Sequence, residues 1–230
     1  MQCRQAFLGI LMLDTRFPRP PGDIGNPGTF AFPVRYAVVQ GASPHLAVRG
    51  NAAGLLEPFI AAGRRLAAEG ALGIATSCGF LALYQRELAA ALAVPVATSA
   101  LLQLAWLRPL LAPGQTAGVV TIDAAALSGR HLAAVGAEVD VPVEGVAPQS
   151  ELARRVLGDE TTLDLAAAER DVVDAARRLV ARRPDVAAIV LECTNMPPYA
   201  RAVAAATGRP VFDAVTLLTW FWSGLARGRG

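Results

Sequence analysis

The chain has 230 residues, 53% of them hydrophobic, and its 21 basic and 19 acidic residues leave a net charge of +2. That length and apolar content suffice for a sizeable core, and the scattered charges form no basic face for phosphate backbones, so the expected partner is a small molecule and not a nucleic acid. All 21 of the basic residues are arginine; without lysine, neither a Schiff base to pyridoxal phosphate or a carbonyl substrate nor a P-loop can be built within this chain.

In chain order, short apolar runs alternate with alanine-rich helical patterns. Leu8–Leu13 reads as a buried strand, Ala52–Ala68 as a helix, Leu72–Thr76 as a strand, Leu81–Ala93 as a helix and Val94–Ala97 as a short strand. The alternation resumes with a strand over Ala117–Ile122, a helix over Ala124–Val135 stopped by Gly136, and a long helix over Leu165–Arg182. A strand over Val186–Leu191, a helix over Pro198–Ala206 stopped by Gly208 and a strand at Pro210–Phe212 follow. Such alternation predicts an α/β protein with parallel sheet. The C-terminal stretch LLTWFWSGL is expected to be a final helix packed back on the first half.

The apolar stretch Ala6–Leu13 is too short for a signal peptide and meets a charge at once, while Arg108 and Pro109 interrupt the longest leucine-rich segment. Cys3, Cys78 and Cys193 have no C-x-x-C spacing, which fits neither a disulfide framework nor a zinc site and suggests free thiols in a reducing compartment. A soluble, cytoplasmic protein without a membrane partner is expected.

The chain also repeats itself. A shift of 115 residues places GALGIATSCGFLALYQRELAAALAVPVATSALL over DVAAIVLECTNMPPYARAVAAATGRPVFDAVTLL without a gap, with Cys78 on Cys193, Tyr84 on Tyr199, Arg86 on Arg201 and Pro95 on Pro210. Near the start of each half LGILMLD, from Leu8, resembles AGVVTID, from Ala117, at an offset of 109. Two copies of one strand-helix unit predict two similar lobes, each a parallel sheet flanked by helices, related by a pseudo-twofold. Sheets of this kind put their sites beyond the carboxyl ends of the strands, which would bring Cys78 and Cys193 to one cleft.

Each of these cysteines ends a strand and precedes a helix, where unpaired N–H groups and the helix dipole are expected to lower a thiol pKa. A nucleophile of the triad type needs a histidine. His45 lies in a loop after Ser43-Pro44, and His131, beside Arg130 on an alanine-rich helix, reads as a solvated surface residue. Two facing cysteines suggest a different chemistry, in which a thiolate takes a proton from one face of a carbon and a thiol returns one to the other, with no cofactor.

The paired TSCGF and LECTN motifs, with the opening LGILMLDTRFPRPPGDIGNPGTF, resemble the aspartate/glutamate racemase superfamily, which includes hydantoin racemases, arylmalonate decarboxylases and maleate isomerases. The resemblance spans essentially the whole chain, and it implies a homodimer to which the apolar stretch LLTWFWSGL could contribute. It implies a lobe of residues 1–112 with 214–230, a second lobe of 113–213, an active site between them and catalysis by Cys78 and Cys193 with neither pyridoxal phosphate nor metal. The leading expectation is a racemase or epimerase that inverts a carbon acid next to a carboxylate, on an amino acid or a derivative. The alternatives are a cysteine-dependent cis-trans isomerase or lyase of a dicarboxylate, and a non-catalytic binder.

Amino-acid racemases of the family usually follow the first cysteine with Asn-Thr, where this chain has Gly79-Phe80; the second motif keeps Thr194 and then has Asn195. The family's recognition of a free α-amino acid is therefore not expected to carry over. Ser77, Gly79, Thr194 and Asn195 flank the cysteines as candidate substrate contacts. From the loop after the first strand come Asp14, Thr15, Arg16 and Arg19, the two arginines as a possible carboxylate clamp. Glycines at 22, 25 and 28 lack G-x-G-x-x-G spacing, which rejects a dinucleotide site.

Overall fold

The computed structural model describes residues 6–137 and 140–227, and Cys3 lies outside them. Eight strands form two four-stranded sheets: β1 (Phe7–Leu13), β2 (Val34–Val39), β3 (Ala71–Thr76) and β4 (Val96–Ala97), then β5 (Thr116–Thr121), β6 (Val143–Gly145), β7 (Val186–Leu191) and β8 (Val211–Phe212). The strand orders are β2-β1-β3-β4 and β6-β5-β7-β8, and every pairing is parallel. This is the predicted α/β architecture of two similar lobes.

The duplication extends to individual hydrogen bonds. Both central pairings slip register at their start, between Phe7 and Leu8 and between Thr116 and Ala117. Beyond the strand ends, the Ser77 N–H donates to the Leu11 carbonyl and the Glu192 N–H to the Val120 carbonyl, each at 2.9 Å. The central strands β1, β3 and β7 are buried almost throughout, which explains their continuous apolar runs.

Nine helices are described: α1 (Pro44–Val48), α2 (Leu56–Ala68), α3 (Gln85–Ala91), α4 (Leu104–Leu110), α5 (Gly129–Ala134), α6 (Glu151–Leu157), α7 (Leu165–Arg182), α8 (Ala200–Thr207) and α9 (Ala214–Leu225). α2 starts later than Ala52 because Asn51, Ala52 and Gly54 take positive φ and turn the chain. Similarly, α5 is shorter than its pattern, since the Asp123 carboxylate accepts from the N–H groups of Ala125 and Ala126 and holds a turn there. β2 and β6 escaped the sequence reading because they are edge strands: VRYAVV alternates with exposed positions, and VEG is too short to signal.

α9 packs on the first sheet as expected. Leu217 and Leu218 are buried against Leu8, Ile10 and Ala75, and Gly73 leaves room for Leu225 and Phe221. Each buried leucine contributes about 1.5–3 kcal/mol, enough to keep this helix docked. No helix among the described residues is long and apolar enough to cross a membrane.

A clasp joins the lobes. Asp159, at φ 51, accepts from the Arg16 N–H at 2.6 Å, the Arg16 Nε at 3.0 Å and the Phe17 N–H at 3.3 Å. Partial burial raises the pKa of this carboxyl, but the groups of Arg16 and Phe17 outweigh that and hold it below its ordinary value. A depressed folded-state pKa supplies stability that is present above the unfolded value, about 3.9, and lost as pH falls through the folded value. Asp159→Ala is expected to cost about 1 kcal/mol or less, since Arg16 is exposed, with the difference in Tm from the parent shrinking on acidification. Thermal melts of both proteins from neutral pH downward measure this.

Candidate active site

Cys78 and Cys193 follow the carboxyl ends of β3 and β7, each at the start of the same turn. The Leu81 N–H closes back on the Cys78 carbonyl at 3.1 Å and the Met196 N–H on the Cys193 carbonyl at 3.0 Å. The two thiols line one small cavity between the lobes. Ser77, Gly79, Glu192, Thr194 and Asn195 supply its polar wall; Leu13, Phe17, Val48, Phe80, Ile122 and Val156 are part of its apolar one. Among the described residues no arginine or histidine lines it, and no group of His, Cys, Asp and Glu is arranged to hold a metal ion.

Both thiols are 7% exposed and free. Burial, and next the charge of Glu192, push the Cys78 thiol up to about 12 against the lowering effect of the Phe80 and Leu81 N–H groups. The same two causes push Cys193 well above the ordinary thiol value. The expected lowering by a helix start is therefore corrected. The turn after Cys78 is a six-residue 3₁₀ segment, Gly79–Tyr84, whose N–H groups do act on the sulfur but do not outweigh desolvation and a neighbouring carboxylate. Both shifts favour the neutral thiol over the thiolate.

Glu192 is the site residue that the sequence reading missed. It is fully buried, its Oε2 accepts from the Thr121 Oγ at 2.7 Å, and its Oε1 has no hydrogen-bond partner. Burial raises its pKa to about 7 despite that hydrogen bond. Gly79 faces it: a Cβ built there would lie 2.1 Å from Oε1 and 2.4 Å from the Glu192 carbonyl oxygen. A signal for Glu192 exists in LECTN, where a carboxylate interrupts an apolar run, but its repeat mate is the unremarkable Ser77.

The remaining candidates divide into two groups. Ser77 lines the cavity and its Oγ accepts from the Leu13 N–H at 2.9 Å, while its carbonyl accepts from the Thr194 Oγ across the lobes at 2.6 Å. Asn195 takes the Cys193 thiol on its Oδ1 at 3.5 Å and donates through Nδ2 to Asp23 at 2.6 Å. From the loop after β1, Phe17 lines the cavity but Asp14, Thr15, Arg16 and Arg19 do not. Asp14 is exposed and accepts from the Gly41 N–H, and Arg16 is spent on Asp159. Arg19 donates to Asp23 at 2.8 Å and to Thr15 at 2.9 Å, with its guanidinium 4.6 Å from the Phe17 ring centroid. Arg19 and, through it, Thr15 are thus connected to the cavity wall by way of Phe17 and of Asp23 with Asn195.

Asp23 is 1% exposed and anchors this network, accepting also from the Gly25 N–H at 2.7 Å. Asp23→Ala strands the Arg19 charge and the Asn195 amide, and is expected to cost about 3–5 kcal/mol. The matching fall in Tm is on the order of 10 °C, read from thermal melts.

His131 is a second correction. It is 1% exposed, not solvated, because α5 packs on the turn after Cys78 and sets the imidazole edge-on against Phe80, with centroids 5.2 Å apart at 83°. Burial lowers its pKa, and its Nδ1 lies 3.0 Å from the Ser128 Oγ.

Fold and site define a two-lobed α/β enzyme class with paired buried cysteines in the cleft. The Asp/Glu/hydantoin racemase family model matches residues 97–221, and the chain belongs to that family. It is 32% identical over 230 residues to dimethylsulfoniopropionate lyase 5 of Emiliania huxleyi, covering 94% of this chain but only 45% of that protein. With a dimethylsulfoniopropionate lyase of Durusdinium sp. clade D it shares 30% identity over 228 residues, covering 96% of this chain and 75% of the relative. Unliganded arylmalonate decarboxylase has the same fold, with a TM-score of 0.59 at 18% identity over 97% of this chain and 94% of that one.

Proposed function

We propose that this chain is a cysteine-dependent lyase that cleaves dimethylsulfoniopropionate to dimethyl sulfide and acrylate. The observation that carries the reading is the pair of buried thiols at one small cavity in a chain similar to lyases of that name. Dimethylsulfoniopropionate carries a sulfonium leaving group β to its carboxylate, so removal of one α-proton suffices. A cysteine thiolate takes that proton, the C–H electron pair becomes the new C=C bond, and the C–S pair leaves on dimethyl sulfide. The sulfonium charge offsets that of Glu192 beside the sulfurs, which favours the thiolate that burial and Glu192 disfavour. Ser77, Gly79, Thr194 and Asn195 are the proposed substrate contacts.

This reading replaces the expected racemase with a lyase and keeps its first step. Inversion of a carbon acid remains a second reading, favoured by the matched placement of the two thiols on one cavity. Purified protein incubated with dimethylsulfoniopropionate is expected to release dimethyl sulfide and acrylate in equal amounts, followed by gas and liquid chromatography. Folded protein that releases neither, while exchanging the α-hydrogen of chiral carboxylates with heavy water, would overturn the lyase reading in favour of inversion.

A further inference from the structure

We infer that Glu192 and Gly79 form a charge-selecting pair that receives the cationic group of the substrate. The inference deepens the lyase reading by naming what distinguishes the substrate, and its charge selection is measured by binding alone. Four observations converge on it. Glu192 lines the cavity, is fully buried and has one carboxylate oxygen without a protein partner. Its other oxygen is pinned by Thr121, so the free one is held in place. Gly79 is the residue that lets Glu192 stand there, since any side chain would collide with both the carboxylate and the carbonyl of Glu192. Among the described residues no basic side chain lines the cavity to neutralise that carboxylate, while Phe17 and Phe80 offer aromatic surface suited to a soft onium group.

A buried carboxylate with one unpartnered oxygen and no cationic neighbour on the cavity wall is stabilised either by taking up a proton or by a cation placed beside it. An onium group cannot donate a conventional hydrogen bond, so charge and shape are its means of recognition. The same carboxylate repels a second anion, which fits a substrate with one carboxylate better than a dicarboxylate. The titratable groups facing Glu192 are the Cys78 and Cys193 thiols, with Asp23 behind Cys193 already bound to Arg19. Burial places the Glu192 titration at about 7, so cation preference should be strongest above that pH and fall as the carboxyl protonates below it.

The test compares 3-(trimethylammonio)propanoate with its isostere 4,4-dimethylpentanoate, in which a tert-butyl group replaces the trimethylammonium so that the carboxylate stays and the positive charge is lost, by calorimetric titration. The parent protein is expected to prefer the cation by about tenfold or more, and Glu192→Gln to reduce the ratio towards one. Should the variant fail to fold, the parent protein's ratio measured from pH 8 down to pH 5 reads the same carboxylate and is expected to fall. A parent protein with no cation preference, or a ratio unmoved in Glu192→Gln or across the pH range, would overturn the inference. Preference without release of dimethyl sulfide would instead retain the pair and remove the lyase reading.

Discussion

Cys78→Ser and Cys193→Ser are each expected to lower kcat/KM for the elimination, the one that removes the base by about 10²–10⁴-fold. Serine keeps the shape but ionises far less readily than a thiol, so it tests the proton transfer and not the packing. Elimination needs one base, whereas inversion needs a proton acceptor on one face and a donor on the other. The two variants should therefore differ: one loses turnover almost completely, while the other retains a measurable fraction because it loses only the neighbouring thiol. Both proteins should melt close to the parent, since each cysteine is a small buried group with no disulfide. Equal and complete losses in both would favour two-base inversion. Full activity in both would remove the cysteines from the chemistry.

Gly79→Ala is the second large effect. The added methyl meets the Glu192 carboxylate at 2.1 Å and, more seriously, the Glu192 carbonyl oxygen at 2.4 Å, a backbone atom that belongs to the other lobe's central strand end. Relief requires the two cysteine turns to move apart, at about 1–3 kcal/mol of stability. Activity should fall further than stability implies, because a shift of about 1 Å at the sulfur of the adjoining Cys78 costs about 10²-fold. Pairing it with Glu192→Gln should not rescue it, as the carbonyl remains. Gly224→Ala is the control: a Cβ there meets nothing within 4 Å in α9, so it should be neutral or stabilising by up to about 1 kcal/mol. Melting temperatures and turnover of the three variants separate these outcomes.

The lobes and the cysteines were legible because the duplication writes them twice. Apolar strands of matching length, followed by Cys78 and Cys193 at one offset, carry both fold and site without knowledge of any contact. The rest depended on long-range pairing. Arg16 and Arg19 look like free cations in a proline-rich loop, but the partner of the first, Asp159, lies 143 residues away and that of the second, Asp23, is buried with Asn195 from the opposite lobe. His131 looked solvated because its helix is rich in alanine, and only the packing of α5 on the other lobe buries it. Glu192 was hidden for the converse reason: as part of an apolar run it read as strand, and its open oxygen is visible only once Gly79 is seen against it.

Cysteine-driven removal of an α-proton with loss of the β-sulfonium is tested most directly with substrate carrying two deuteriums on the α-carbon. The expected product is acrylate that has lost one deuterium and kept the other, formed together with dimethyl sulfide and with one of the Cys78→Ser and Cys193→Ser proteins abolishing it. A product in which both deuteriums survive, such as the demethylated or the hydrolysed propanoate, would contradict proton abstraction at that carbon.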